Sequence, residues 1–177
     1  MISIEEKIKL SVRDIANFPK KGIIFKDITP VLQNPALCAE IVNEFCERTK
    51  DFKIDCIAAV ESRGFLFGML IAQKLNVPFI PIRKKGKLPY DTFEQSYDLE
   101  YGSATIEMHR DAIKPGQQVL LHDDLLATGG TMEAASQLVL KSGGIIAGYS
   151  FLINLSYLEG EKKLKDFSNH FIGLVKY

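Results

Sequence analysis

The sequence has no surplus of charge: 22 Lys and Arg balance 22 Asp and Glu. Proteins that live on nucleic acid usually carry a basic excess, so nucleic-acid partners are not expected. Cysteine is scarce. Its three copies (Cys38, Cys46 and Cys56) are odd in number and lack metal-type CxxC spacing. This excludes a disulfide scaffold and predicts reduced, buried thiols in a cytoplasmic protein. No apolar run approaches the ~18 residues of a membrane span. The start, MISIEEKIKLSVRDI, is acidic and amphipathic and lacks the basic end and apolar block of a signal peptide. Repeats, low-complexity tracts and linkers are missing as well, so residues 1–177 read as one domain. Ordinary hydrophobic (46%) and charged (25%) fractions exclude disorder, collagen and coiled coil for the whole chain.

What is present is a strand–helix alternation. Ile4, Ile8, Val12 and Ile15 recur at helical spacing behind a potential Ser3 cap, which predicts a helix over 4–15. Pro19, Gly22 and Pro30 mark 16–34 as loop with short extended pieces. A helix over 36–49 follows. Strands are predicted at 56–60, 78–82, 119–121, 145–155 and 170–177, with helices over 64–75 and 131–143. Their strands are apolar throughout rather than alternating, as in strands buried on both faces. The fold class is therefore α/β, a central mostly parallel sheet flanked by helices. Residues 83–103 break the pattern: they are polar and rich in Lys and Gly, and predict a mobile loop standing off the sheet. SATIEMH (103–109) alternates like a solvent-facing strand.

The strongest chemical signal is VLLHDDLLATGGT (119–131). It reads as a buried strand, two carboxylates at its carboxyl end, a Gly-rich turn and a helix. Ligands of open α/β sheets bind beyond the carboxyl ends of strands. Free N–H groups in the turn Ala127-Thr128-Gly129-Gly130-Thr131, at a helix N-terminus, suit a phosphate dianion. Asp123 and Asp124 are poor phosphate ligands but good acceptors for sugar hydroxyls, so a ribose 5-phosphate satisfies both ends. The run matches neither GxGxxG nor GxxxxGK[ST], so dinucleotide and Walker-type readings lose support.

This segment resembles the phosphoribosyl pyrophosphate motif of type I phosphoribosyltransferases. FPKKGIIFKDITPVL (18–32), ESRGFLFG (61–68), RKKGKLP (83–89) and SYDLEYGSATIEMHRDAI (96–113) extend the resemblance, in order, to the adenine phosphoribosyltransferases of that family. His122 stands where the family usually has an aliphatic residue, Tyr90 where glycine is common, and Lys26 where arginine is frequent.

The resemblance implies transfer of a phosphoribosyl group to adenine, giving AMP and pyrophosphate. It implies Mg²⁺ held mainly by the substrate, no metal-ligand cluster of the protein's own, and a homodimer. Asp123 and Asp124 would hold the ribose hydroxyls, and residues 127–131 the 5-phosphate. Ser62 and Arg63 would hold pyrophosphate, a dipeptide that many relatives keep in a cis peptide. Arg83 and Lys87, in the basic start of the loop, would help close the site. Residues 1–34 would form a hood over the base, with Phe25 and Leu125 sandwiching the ring and Lys26 offering main-chain bonds. Glu100 and Tyr101 are the candidates for chemistry at the base. His109 and His170 read as structural, and His122 as a buried histidine with a backbone partner. The rival readings are a phosphoribosyltransferase for another base, or a ligand-sensing regulator on the same fold.

Overall fold

The computed structural model describes residues 2–98 and 102–177. Helix α1 (Ile4–Ser11) opens with a capping box: Ser3 accepts from the Glu6 N–H while the Glu6 carboxylate accepts from the Ser3 N–H. It stops at Ser11, four residues short of the apolar periodicity. Val12 turns extended because Arg13–Ala16 (β1) pairs antiparallel with Ile24–Asp27 (β2). This two-stranded ribbon forms a sheet of its own. A short α2 (Thr29–Leu32) and α3 (Pro35–Arg48) lead into the main sheet.

That sheet is built from β3 (Cys56–Val60), β4 (Phe79–Lys84), β5 (Thr92–Asp98), β6 (Ser103–His109), β7 (Gln118–Leu126), β8 (Ile145–Asn154) and β9 (Phe171–Lys176). The spatial order is β5-β6-β4-β3-β7-β8-β9. From β4 to β9 every pair is parallel; β6 joins β4, and β5 joins β6, antiparallel. The crossover helices are α4 (Gly64–Leu75) and α5 (Gly130–Lys141), with a short α6 (Glu161–Leu164) before β9.

Burial on both faces explains the apolar strands. Cys56, Ala58 and Val60 of β3 pack with α5 residues such as Met132, Leu138 and Val139. Ile57 faces the opposite core, with Ile8 of α1, Phe45 of α3 and Phe67 and Ile71 of α4. Glycine lets α4 approach this closely: a Cβ on Gly68 would lie 2.8 Å from the Ala59 Cβ, and one on Gly64 2.8 Å from Asp123 Oδ1.

Several expectations change. The stretch 83–103 is not one long loop, because Thr92–Asp98 forms strand β5 on β6, and β4 runs on to Lys84. β6 is not solvent-facing: Ile106, Glu107 and Met108 are all buried, since β6 lies between β4 and β5. β7 extends to Leu126, so the two carboxylates sit within the strand rather than past its end. Among the cysteines only Cys56 is buried; Cys38 and Cys46 are half-buried, and all three are free thiols. Burial pushes the Cys56 thiol up to about 11.

Candidate active site

The carboxyl ends of β3 and β7 and the start of α4 enclose a cavity of about 450 Å³. Its walls include Phe25 of the ribbon, Ser62 and Arg63 after β3, Asp123, Asp124 and Leu125 of β7, and Thr131 of α5. These seven are residues that the sequence singles out. Two larger hollows, of about 570 and 590 Å³, are lined by helix side chains alone and by none of the strand-end loops.

Adjacent residues in a strand point to opposite sides, so Asp123 and Asp124 do different things. Asp123 is half-buried and its Oδ1 accepts from the Asp124 N–H at 2.9 Å. Asp124 is 4% exposed, and its Oδ2 lies 2.9 Å from Arg63 Nε without the alignment of a hydrogen bond. Burial raises both carboxyls above the usual range. The Asp124 charge raises Asp123 further, and the Arg63 guanidinium opposes the rise at Asp124. Two acceptors with unused capacity, one on half-buried Asp123 and one on buried Asp124, are available to hydroxyl donors.

Arg63 ties three parts together. Besides Asp124 it donates through Nη1 to the Lys26 carbonyl at 3.3 Å, and its guanidinium stands 4.9 Å from the Phe25 ring. The cis peptide bond of this segment is Glu61–Ser62, one bond earlier than the resemblance implies.

At the Gly-rich turn, Gly129 takes a left-handed conformation (φ +83°) as the N-cap of α5. The first bond of α5 runs from the Glu133 N–H to the Gly129 carbonyl. The N–H groups of Gly129, Gly130, Thr131 and Met132 therefore have no acceptor within the helix, an arrangement that suits an anion. Ala127 and Thr128 lead into it, Thr128 with its side chain exposed. Gly160 backs the turn. A Cβ on Gly129 would lie 2.6 Å from the Gly160 carbonyl oxygen, and one on Gly160 2.3 Å from that of Ala127.

The basic residues divide. Lys84 lines the cavity, whereas Arg83 does not: its Nε bonds to Glu61 Oε2 at 3.0 Å and its Nη1 to the Lys87 carbonyl at 3.2 Å. Lys87 is exposed, and its N–H donates to Glu107 Oε1 at 2.8 Å. Glu107 is 3% exposed. Burial alone would raise its carboxyl, but N–H groups of Leu88, Gly86 and Lys87 outweigh this and lower it. The Glu107 carboxylate thus fixes the turn that carries Lys87.

In the ribbon, Lys26 turns its amino group away from the cavity onto both oxygens of Asp14, at 2.8 Å each, leaving main-chain groups toward Arg63. His122 is fully buried, but its Nδ1 partner is the Ser150 side chain at 2.8 Å rather than backbone. Glu100 and Tyr101 lie outside the described residues.

Glu61, Lys84, Tyr97, Glu107 and Gly160 escaped the sequence reading as site residues. Glu61 adjoins the ESRG run and was findable. Glu107 and Gly160 act across the fold and leave no local signal.

Comparison with known proteins agrees with this geometry. Residues 27–166 match the model of the phosphoribosyl transferase domain. The adenine phosphoribosyltransferase of Cytophaga hutchinsonii is 52% identical over 98% of this chain and 96% of its own. The crystal structure of adenine phosphoribosyltransferase from Thermoanaerobacter pseudethanolicus has a TM-score of 0.94 at 47% identity, covering 97% of this chain and 99% of that one. The Saccharomyces cerevisiae enzyme, solved with adenine and an imino-altritol bisphosphate, has a TM-score of 0.90 at 38% identity, covering 97% and 98%. With its paired β7 carboxylates, the Gly-rich turn before α5 and its relatives in agreement, the chain belongs to the phosphoribosyltransferase family, among the adenine phosphoribosyltransferases.

Proposed function

We propose that this chain transfers the phosphoribosyl group of phosphoribosyl pyrophosphate to adenine, releasing AMP and pyrophosphate. The observation that carries the reading is the convergence on one cavity of the carboxylate pair, Thr131 from the turn that opens α5, and Arg63 beside Phe25. Asp123 and Asp124 accept the ribose hydroxyls, and residues 127–131 bind the 5-phosphate. Ser62 and Arg63 bind pyrophosphate, with Lys84 joining them from the cavity wall. Adenine lies between Phe25 and Leu125, its edge read by Lys26 main-chain groups. As the bond from C1 to pyrophosphate lengthens, charge moves to the leaving oxygens, where Arg63 stabilises it. Fixing C1 and the base nitrogen at attack distance supplies the remaining advantage. Glu100 and Tyr101 complete the base site in this proposal, Glu100 accepting the proton of N7.

Among the described residues no group of three or more His, Cys, Asp or Glu is placed to hold a metal ion. The carboxylates at the cavity are Asp123 and Asp124 of β7 and Glu61, which Arg83 already engages; this set suits Mg²⁺ carried in by the substrate's oxygens and lying near the β7 pair. Bound there, Mg²⁺ would neutralise charge on the leaving group. A homodimer belongs to the same proposal, supported by Leu66, Met69 and Leu70 exposed together on α4. So does a cytoplasmic location, supported by three free thiols; among the described residues no helix is long and apolar enough to cross a membrane.

The test is an initial-rate panel with phosphoribosyl pyrophosphate, Mg²⁺ and adenine, hypoxanthine, guanine, xanthine or orotate. Adenine should exceed hypoxanthine by at least ~10³-fold in kcat/KM, because a site matched to an amine leaves polar groups unpaired when a carbonyl replaces it. Comparable rates with hypoxanthine or guanine would overturn the adenine assignment. No turnover of any base would favour the sensing regulator.

A further inference from the structure

We infer that Tyr177, just beyond β9, is a positioning residue for the base: it holds the ribbon strand β2 in register with the cavity through Lys26. The inference rests on the reading of Lys26 main-chain groups as base contacts.

The ribbon needs such a device. β1 and β2 pair with each other and with no strand of the main sheet. Phe25 and the Lys26 carbonyl must nevertheless stand at fixed distances from Arg63 and Asp124, which belong to the main sheet and its first crossover. One tether is the 3.3 Å bond from Arg63 to the Lys26 carbonyl. Ligands that engage Arg63 compete with that bond, so it cannot hold the ribbon alone throughout turnover.

The second tether is the Lys26 side chain. Its ammonium sits 3.7 Å from the centre of the Tyr177 ring, and 2.8 Å from both Asp14 oxygens. Lys26 is only 9% exposed, which strengthens an attraction between a cation and an aromatic face. Asp14 is on β1 and Lys26 on β2, directly paired in the ribbon, so their ion pair is internal to it. Tyr177 is the partner that ties the ammonium to the rest of the molecule.

Tyr177 is itself clamped. Its N–H donates to the Asn154 carbonyl at 3.0 Å. Its carbonyl accepts from the Ser156 N–H at 3.0 Å and the Ser156 hydroxyl at 2.7 Å. Three bonds, one to the end of β8 and two to Ser156 just beyond it, give the ring a rigid seat. Neither the ring nor the Lys26 ammonium lines the cavity, so Tyr177 acts through Lys26 and touches no substrate.

The test is steady-state kinetics of Tyr177→Leu, Tyr177→Phe, Lys26→Met and the double variant Lys26→Met with Tyr177→Leu, each with its melting temperature. Tyr177→Leu should raise KM for adenine about tenfold and leave KM for phosphoribosyl pyrophosphate within about twofold. Tyr177→Phe keeps the ring and should restore wild-type KM. Lys26→Met should raise KM for adenine at least as far, because it also removes the Asp14 ion pair, and the double variant should be no worse than Lys26→Met, because the contact with Tyr177 is then already gone. Should Tyr177→Leu fail to fold, Lys26→Met with Tyr177→Phe still carries the comparison. An unchanged adenine KM, an equal rise in both KM values, or additive effects would overturn the role of Tyr177. If base contacts do not involve Lys26 at all, wild-type turnover of adenine persists while every variant keeps its adenine KM. If the adenine reading itself is wrong, the wild type already fails the base panel.

Discussion

Asp123 bears a conflict between stability and chemistry. Its carboxyl is buried and stands beside a second carboxylate, and both effects disfavour its charge. The sign of the consequence follows. A carboxyl with a raised folded-state pKa destabilises the fold above that pKa, and the cost is relieved as pH falls toward the ordinary value near 4. Replacing Asp123 with Asn removes the charge and keeps the shape. Asp123→Asn should therefore melt at least ~2 °C higher at pH 7.5, the shift of less than about 1 kcal/mol in a chain this long. Its kcat/KM should fall about 10- to 150-fold for one charge-assisted bond of roughly 1.5–3 kcal/mol. Calorimetry and initial rates on the same preparation check both halves. A lowered melting temperature with near wild-type rates would reverse the assignment and make Asp123 structural.

At the level of elements, the anion cradle depends on a partner distant in sequence. α6 begins just after Gly160, whose backbone (φ −57°, ψ −28°) any residue adopts easily. The constraint is space: a Cβ there would meet the Ala127 carbonyl oxygen at 2.3 Å and the Gly129 nitrogen at 3.1 Å. Gly160→Ala should displace the cradle and raise KM for phosphoribosyl pyrophosphate at least about tenfold, while KM for adenine stays within about twofold; misplacement by 1 Å can cost ~10²-fold. Equal changes in both KM values would place the damage elsewhere. This dependence also shows what a sequence makes legible. β3, β7, β8 and their helices were readable because burial on both faces leaves unbroken apolar runs, and the cradle because glycine and threonine cluster at one strand end. β5 was not: TFEQSYD alternates at the sheet edge, with Phe93 and Tyr97 half-buried against the core and Glu94 and Ser96 outward, so its polarity imitates a loop. Nor were Gly160, Glu107 and Tyr177, whose effects arise only when distant segments meet. Arg83 shows what the sequence does not display: its charge is paired with Glu61, 22 residues away in the chain.

The whole molecule has an acid limit that one buried ring helps to set. Burial lowers His122 to about 3, only partly opposed by its bond to Ser150, and its Nε2 is buried without a partner. The unfolded chain protonates histidine near pH 6.5, so the unfolded state takes up protons that the folded state refuses. Stability from this source is complete above about 6.5 and is lost as pH falls toward 3, by up to about 1.4 kcal/mol per pH unit. The raised β7 carboxyls act oppositely over part of that window, so a variant comparison isolates the histidine. His122→Leu with Ser150→Ala removes the ring and its partner together. Urea unfolding at pH 7.5, 6 and 5 should show the wild type losing more stability than the double variant, and parallel losses would clear His122 of the effect.

The self-paired ribbon has a consequence for how this enzyme can change over generations. The proposed sugar-phosphate half of the cavity is built on β7 and α5, whose buried residues also pack the core. In the proposed base site, Phe25 and Lys26 come from a ribbon that pairs with no strand of the main sheet, while Leu125 comes from β7. On that proposal, substitutions in the ribbon would disturb folding less than substitutions in β7 or α5, and the nucleobase preference would be the easier half of the site to change.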